Sequence, residues 1–273
     1  MTIDSPTKIQ RLAQDIRCHC VRMVYRANSS HVGGCLSLAD LLAVLYGEVL
    51  RLRPQHPGWG DRDRFILSKG HCTAAVYAAL AEIGFFPVHE LEQFGQAGSR
   101  LMAHISVHVP GVEFSTGSLG HGLPFGCGKA LASKRLGQNW RTFVMLSDGE
   151  LDEGSNWEAI LFAGHHRLNN LIAIVDFNKI QSLGDVNQVL ALDQLADKFR
   201  AFHWTVREID GHDLHQINQA LSTPPDDYPT VILAHTVKGK GVDYMEHQLQ
   251  YHYSAPGTAE QLKDALRQLE ATS

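Results

Sequence analysis

The sequence predicts an α/β fold, a doubly wound, mainly parallel sheet with helices on both faces. Three observations predict it. From residue 64 onward short apolar runs alternate with longer helical patterns, the order that builds a parallel sheet. Two of those runs, 141–147 (RTFVMLS) and 171–176 (LIAIVD), read as short buried strands bounded by polar residues. Between them 153–168 (EGSNWEAILFAGHHRL) has helical spacing, with Trp157, Ile160, Leu161 and Gly164 on one face. Strand, helix and strand in that span make a right-handed unit whose strands run parallel.

The other elements follow along the chain. Residues 7–27 read as an amphipathic helix with Ile9, Leu12, Ile16 and Val24 among its apolar positions, and NSSHVGG (28–34) as a turn-rich break. Ser37 with Asp40 three residues on has the pattern of a capping box, starting a buried helix through SLADLLAVLYGEVL. A loop at 53–63 leads to a short strand at 64–67, a turn at 68–71 (SKGH) and an Ala-rich helix at 73–83. Residues 97–119 form a long loop, and such loops inside a domain are usually functional or disordered. It leads into SLGHGLPFGCGKALASKRLG, a Gly-rich helix start whose small residues let the backbone approach a ligand. After the central unit come a helix near 193–202, a strand near 204–209, a helix near 213–222, a strand at 230–235, a loop at 236–257 and a charged closing helix. No repeat or low-complexity linker divides the chain, so one domain over residues 1–273 with an N-terminal helical extension is the expectation.

Composition narrows the function classes. A net charge of −5 over 273 residues gives neither a nucleic-acid surface nor a polybasic membrane patch. No apolar run approaches the roughly 18 residues of a membrane span, and MTIDSPTKIQRLAQD lacks a signal-peptide pattern. The five cysteines, Cys18, Cys20, Cys35, Cys72 and Cys127, fit neither a zinc site nor a disulfide frame, which predicts reduced thiols in a cytoplasmic protein. Several of the sixteen histidines fall in Gly-rich loops, where polar chemistry usually sits.

Asp148 and Asn178 each lie just past the C-terminal end of a predicted strand. That edge of an open α/β sheet is where ligands bind. A carboxylate and an amide oxygen side by side suit a hard divalent cation such as Mg2+, which keeps positions for phosphate oxygens and water.

Taken together, NSSHVGG, LSKGH, PGVEFSTGSLGHGL, SDGELDEGSNWEA, IVDFNKIQ and TVKGKGVDYME resemble the diphosphate-binding half of a transketolase, from about residue 10 to 255. More closely, the chain is similar to the N-terminal subunit of split, two-component transketolases. The resemblance implies the thiamine diphosphate-binding fold, with thiamine diphosphate held through Mg2+, for which Ca2+ or Mn2+ substitutes. Asp148, Asn178 and the carbonyl of Ile180 would coordinate the metal. Gly149 would admit the diphosphate, with Glu150 beside it, and Gly117, Ser118 and Leu119 would line the cofactor. His71 matches a histidine near the diphosphate, and His31 one near the reacting carbon of the sugar. His104 and His252 match histidines around cofactor and donor substrate, while Glu153 and Glu158 match acids that join active-site halves across the subunit interface.

The sequence departs from the family pattern at Ser147, at His31-Val32, at Ala103-His104-Ile105-Ser106 and at His121. Three of these departures are expected where the sugar or thiazolium would lie, which puts the standard pentose phosphate substrates in question. The family's pyrimidine-binding domain, which carries the glutamate that activates the cofactor, has no room before Ser273. A pyrimidine-domain partner subunit is therefore expected, in a heterotetramer acting on sugars or sugar phosphates. Apolar residues of the loops, Ile105, Val107, Val109, Ile180 and Leu183, are expected to be exposed and covered by that partner. Two other readings stay open: a subunit of another thiamine diphosphate-dependent ligase or decarboxylase acting on an unusual sugar or a keto acid, and a metal- or nucleotide-binding scaffold without catalysis.

Overall fold

The computed structural model describes residues 7–224 and 226–271; the predicted one-domain span reaches beyond these at both ends. Helix α1 (Lys8–Ala27) starts at a reciprocal cap, in which Thr7 accepts from the Gln10 N–H and the Gln10 side chain accepts from the Thr7 N–H. It buries Ile9, Leu12, Ile16 and Val24 and ends at Asn28 in the left-handed region. The next helix begins inside the expected break, as α2 (Val32–Ser37), and α3 (Ala39–Val44) continues into a wider turn over Leu45–Val49. The expected capping box at Ser37 and Asp40 does not form. The Ser37 hydroxyl donates to the Gly34 carbonyl and to Asp176, while Asp40 pairs with Arg17 and with His212 at 2.7 Å. Both side chains have partners distant in sequence, which outcompete the local cap.

Then follow β1 (Arg64–Leu67), α4 (Thr73–Glu82), α5 (Gly122–Arg135), β2 (Thr142–Ser147), α6 (Gly154–His165) and β3 (Leu171–Phe177). A small antiparallel hairpin of β4 (Ile180–Gln181) and β5 (Gly184–Asp185) leads to the single-turn α7 (Val186–Val189). These pieces are too short to carry a sequence period, and no element was expected there. The chain continues through α8 (Leu195–Ala201), β6 (Thr205–Asp210), α9 (Leu214–Ser222), β7 (Thr230–His235) and α10 (Ala259–Ala271).

The other five strands form one parallel sheet in the order β1-β2-β3-β7-β6, the mainly parallel α/β fold expected. Its pleat divides the core in two. Phe143, Met145, Ile172, Ile174, Ile232 and Ala234 face a cluster built with α1, α3, α4 and α9. Val144, Leu146, Leu171, Ala173, Val175, Val231 and Leu233 face a second cluster built with α5, α6 and α8. Alternate residues of one strand thus enter opposite cores, so the central strands are apolar throughout. Helix α5 lies close on the sheet: a Cβ at Gly126 would sit 2.5 Å from Val144 Cγ2.

Two expectations about faces need correction. On α6, Ile160 and Gly164 are buried and Trp157 is half-buried, but Leu161 points outward, 57% exposed. Among the loop residues, Ile105 and Val109 are core residues at 3% and 1% exposure, because the segment 97–119, although it has no helix or strand, folds down onto the helical layer. Ile180 is half-buried, and only Val107 and Leu183 are exposed as expected.

Candidate active site

A parallel sheet brings all its strand ends to one edge. Asp148 follows the last residue of β2, Asn178 follows the last residue of β3, and these strands are neighbours in the sheet. They open into a cleft of about 300 Å3. His31, His71, His104, Gly117, Leu119, Gly149, Ile180 and His252 line it as well, so ten of the residues singled out by sequence meet in one place.

Asp148 is buried, and its carboxylate accepts from the N–H groups of Gly149 at 2.8 Å and Lys179 at 2.5 Å. Burial, and then the charge of Asp176, push its pKa up to about 6. The charge of Lys69 only partly offsets this, and a divalent cation would complete the compensation. Asn178 donates from Nδ2 to Asp176 at 3.2 Å, and its Oδ1 accepts from the Ile180 N–H at 3.2 Å. Among the described residues no group of three or more His, Cys, Asp or Glu is placed to hold a metal, so an ion here needs amide, carbonyl and ligand oxygens to complete its shell. A Cβ on Gly149 would sit 2.6 Å from Gln181 Cβ, so only glycine leaves the backbone clear at this point. These residues fit a metal-bound diphosphate.

Four imidazoles surround the opening. The ring of His31 lies 4.8 Å from that of His71, 5.1 Å from His252 and 6.4 Å from His104. His31 sits at the N-terminus of α2 with φ of +70°, a left-handed conformation that histidine, like asparagine and aspartate, adopts more readily than most residues. Its N–H donates to the His252 carbonyl at 3.1 Å, which ties the first loop to the last. Its Nδ1 is buried without a partner, a cost of about 1–3 kcal/mol. Burial lowers the pKa of His31 to about 4, helped by His104 and Lys238; burial and Lys238 lower that of His252 to about 3; His71 is also lowered, chiefly by burial. These three rings are neutral at pH 7 and can accept protons.

Two buried lysines were not anticipated. Lys238 donates to the Ile180 carbonyl at 2.9 Å and lies 3.1 Å from His252 Nδ1. Burial and the charge of Lys69 lower its pKa. Lys69 pairs with Asp176. Burial opposes both charges of this pair, but each partner holds the other ionised, the lysine above and the aspartate below its usual range. Both lysines line the cleft and favour an anion there. Their motifs SKGH and TVKGKG were visible in the sequence; their burial was not.

Four predicted residues lie outside the cleft lining. Ser118, Glu153 and Glu158 are exposed. Glu150 is fully buried, and its carboxylate accepts from Ser68, from the Gly120 N–H at 2.9 Å and from the Ser147 N–H at 3.3 Å. Of the departures from the family pattern, Ser147 and His104 line the cleft. Val32, Ile105 and Ser106 are buried and His121 is exposed beside α5, but His31, the partner of Val32 in its departure, also lines the cleft, so three of the four departures reach it through one residue each.

Comparison with known proteins shows the family. The family described as transketolase, thiamine diphosphate binding domain, matches residues 8–270. The chain is 39% identical over 257 residues to an apulose-4-phosphate transketolase subunit of Phocaeicola vulgatus, covering 93% of this chain and 90% of that protein. It is 39% identical over 265 residues to a 6-deoxy-6-sulfo-D-fructose transketolase subunit of a Clostridium species, covering 96% of each. Its structure is similar to the transketolase of Campylobacter jejuni, with a TM-score of 0.91 and 33% identity, and to that of Leishmania mexicana, with 0.91 and 31%. The chain spans 43% and 42% of the length of those two.

Proposed function

We propose, on the premise that this chain belongs to the transketolase thiamine diphosphate-binding domain family, that it is the diphosphate-binding subunit of a two-component, Mg2+-dependent transketolase. The reaction moves a two-carbon ketol unit from a ketose to an aldose. The observation that carries this reading is the meeting of Asp148 and Asn178 with four imidazoles in one cleft. Thiamine diphosphate, when bound, supplies an electron sink for breaking a carbon–carbon bond beside a carbonyl. Asp148, Asn178 and the Ile180 carbonyl hold the metal, and Gly149 leaves space for the diphosphate. Lys69 and Lys238 add positive charge at the same end. His31, kept neutral by burial, accepts a proton from a sugar hydroxyl, and His71, His104 and His252, the last with its Nδ1 facing Lys238, orient cofactor and donor. Glu153 and Glu158, exposed at the start of α6 and along it, meet the partner subunit.

The two-component reading rests on relatives of matching length that are named as transketolase subunits. Those relatives are named for apulose 4-phosphate and 6-deoxy-6-sulfo-D-fructose, which favours an unusual ketose as donor here too. Five free thiols fit a reducing, cytoplasmic setting. Calorimetry with thiamine diphosphate and Mg2+ tests the assignment: Asp148→Ala should keep the fold and lose cofactor binding. Unchanged affinity in a folded variant refutes the metal site.

A further inference from the structure

The carboxylate of Asp176 is fully buried and is absent from the cleft lining. It nevertheless gathers donors from four segments that shape the cleft. Ser37, at the end of the helix that His31 begins, donates at 2.6 Å. Lys69, two residues before His71, and Thr236, two before Lys238, donate as well. The fourth donor is Nδ2 of Asn178, at 3.2 Å.

An amide has one donating and one accepting end, and only the oxygen can ligate a cation. Either end of Asn178 fits the same space, so the orientation must come from its neighbours: the Ile180 N–H donates to Oδ1 at 3.2 Å, and the Asp176 carboxylate accepts from the other end. An ionised carboxylate accepts only, and beside it the nitrogen is the end that stays. We infer that Asp176 is a positioning residue: it anchors Nδ2 of Asn178 and so presents Oδ1 to the metal, while Lys69 supplies the countercharge that keeps this anchor buried. This rests on the metal-bound diphosphate reading above. It assigns a task to a side chain that touches neither metal nor cofactor.

The test compares Asp176→Asn with the unsubstituted chain, each prepared with the pyrimidine-domain partner, by calorimetric titration of Mg2+ at saturating thiamine diphosphate. An asparagine at 176 keeps one accepting oxygen for the donors of Ser37, Lys69, Thr236 and Asn178, so its hold on Nδ2 weakens and the Ile180 N–H is left as the main group that orients Asn178. The Mg2+ midpoint should rise roughly 10- to 100-fold, as loss of a residue that orients a metal ligand does. The reciprocal swap Asp176→Asn/Asn178→Asp restores one donor, one acceptor and the same total charge, with an oxygen guaranteed toward the metal. It should recover most of the lost affinity, which general loosening of the cleft would not do. A folded Asp176→Asn with an unmoved midpoint overturns the inference, and so does a folded swap no tighter than the single variant. If Asp176→Asn does not fold, the unsubstituted holo complex decides: an Asp176 carboxylate more than 3.5 Å from Nδ2 of Asn178 in its crystal structure overturns the inference, and retained contact with Oδ1 on the metal supports it. If the unsubstituted pair binds no thiamine diphosphate with Mg2+, the underlying reading fails instead.

Discussion

His31 and His71 differ in their surroundings, and the difference sets separate outcomes. His31 lines the cleft with a ring that burial keeps neutral, so His31→Ala should lower turnover roughly 10²- to 10⁴-fold, the usual range for a lost proton-transfer group, with little change in cofactor affinity. His71 is assigned to the diphosphate side, and His71→Ala should lose more in cofactor affinity than in turnover. Identical behaviour in kinetics and calorimetry refutes the division. The neutral imidazoles also mark the protein's response to acid. Unfolded histidines take up protons near 6.5, whereas His31 waits until about 4 and His252 until about 3. Their contribution is intact above about pH 6.5 and is lost as pH falls toward 4, because the unfolded state binds more protons. Asp148, pushed up to about 6, acts in the opposite sense below that pH, since its folded carboxyl takes a proton first. Urea melts at pH 7 and pH 5 should therefore show a smaller acid loss in His31→Gln than in the unsubstituted protein. Equal losses would mean that His31 is not held neutral. At this scale the sequence was informative wherever function lies in a residue's own chemistry: Asp148, Asn178 and four loop histidines could be picked out. Lys69, Lys238 and Asp176 could not, because their chemistry depends on burial and on partners from distant segments.

Glycine has opposite effects in two helices. In α6 a Cβ on Gly164 would sit 1.9 Å from the Phe202 carbonyl oxygen, a backbone atom that cannot rotate away. Gly164→Ala should destabilise by about 1–3 kcal/mol, more than the roughly 1 kcal/mol that alanine gains in a helix. Gly128, exposed inside α5, has no atom within 4 Å of its Cβ position, so Gly128→Ala should stabilise by about 0.5–1 kcal/mol. Urea melts of both variants check the signs. Element order was legible because buried strands and helices carry strong apolar patterns, and the strands at 64–67 and 230–235 begin and end where expected. Where local chemistry competed with tertiary chemistry it misled: the cap pattern at Ser37 and Asp40 serves long-range partners, while the reciprocal cap that does form uses Thr7 and Gln10. The outward turn of Leu161 belongs to the same class, since helical spacing gives a face but not what covers it.

The whole molecule leaves Leu161, Phe162, Leu183, Leu190 and Tyr253 exposed, and Tyr253 borders the cleft itself. Apolar groups so placed suit a subunit contact. The chain alone should fold but show no ketol transfer with thiamine diphosphate and Mg2+. Activity should appear on adding a pyrimidine-domain chain, with a heterotetramer mass by light scattering. Robust transfer by the isolated chain would refute the two-component reading. The sheet has a further consequence, for how the chain reaches this shape. None of its ladders joins strands through a tight hairpin: Arg64 pairs with Thr142, and Ile172 with Thr230. Each pairing must wait for a long stretch to close, and such topologies fold slowly. Until β7 arrives from the ribosome, one side of β3 offers bare amides and carbonyls along its most apolar stretch, a surface another nascent chain can pair with. Synthesis of this protein therefore has an interval of vulnerability, open from the emergence of residue 177 until residue 235 is available.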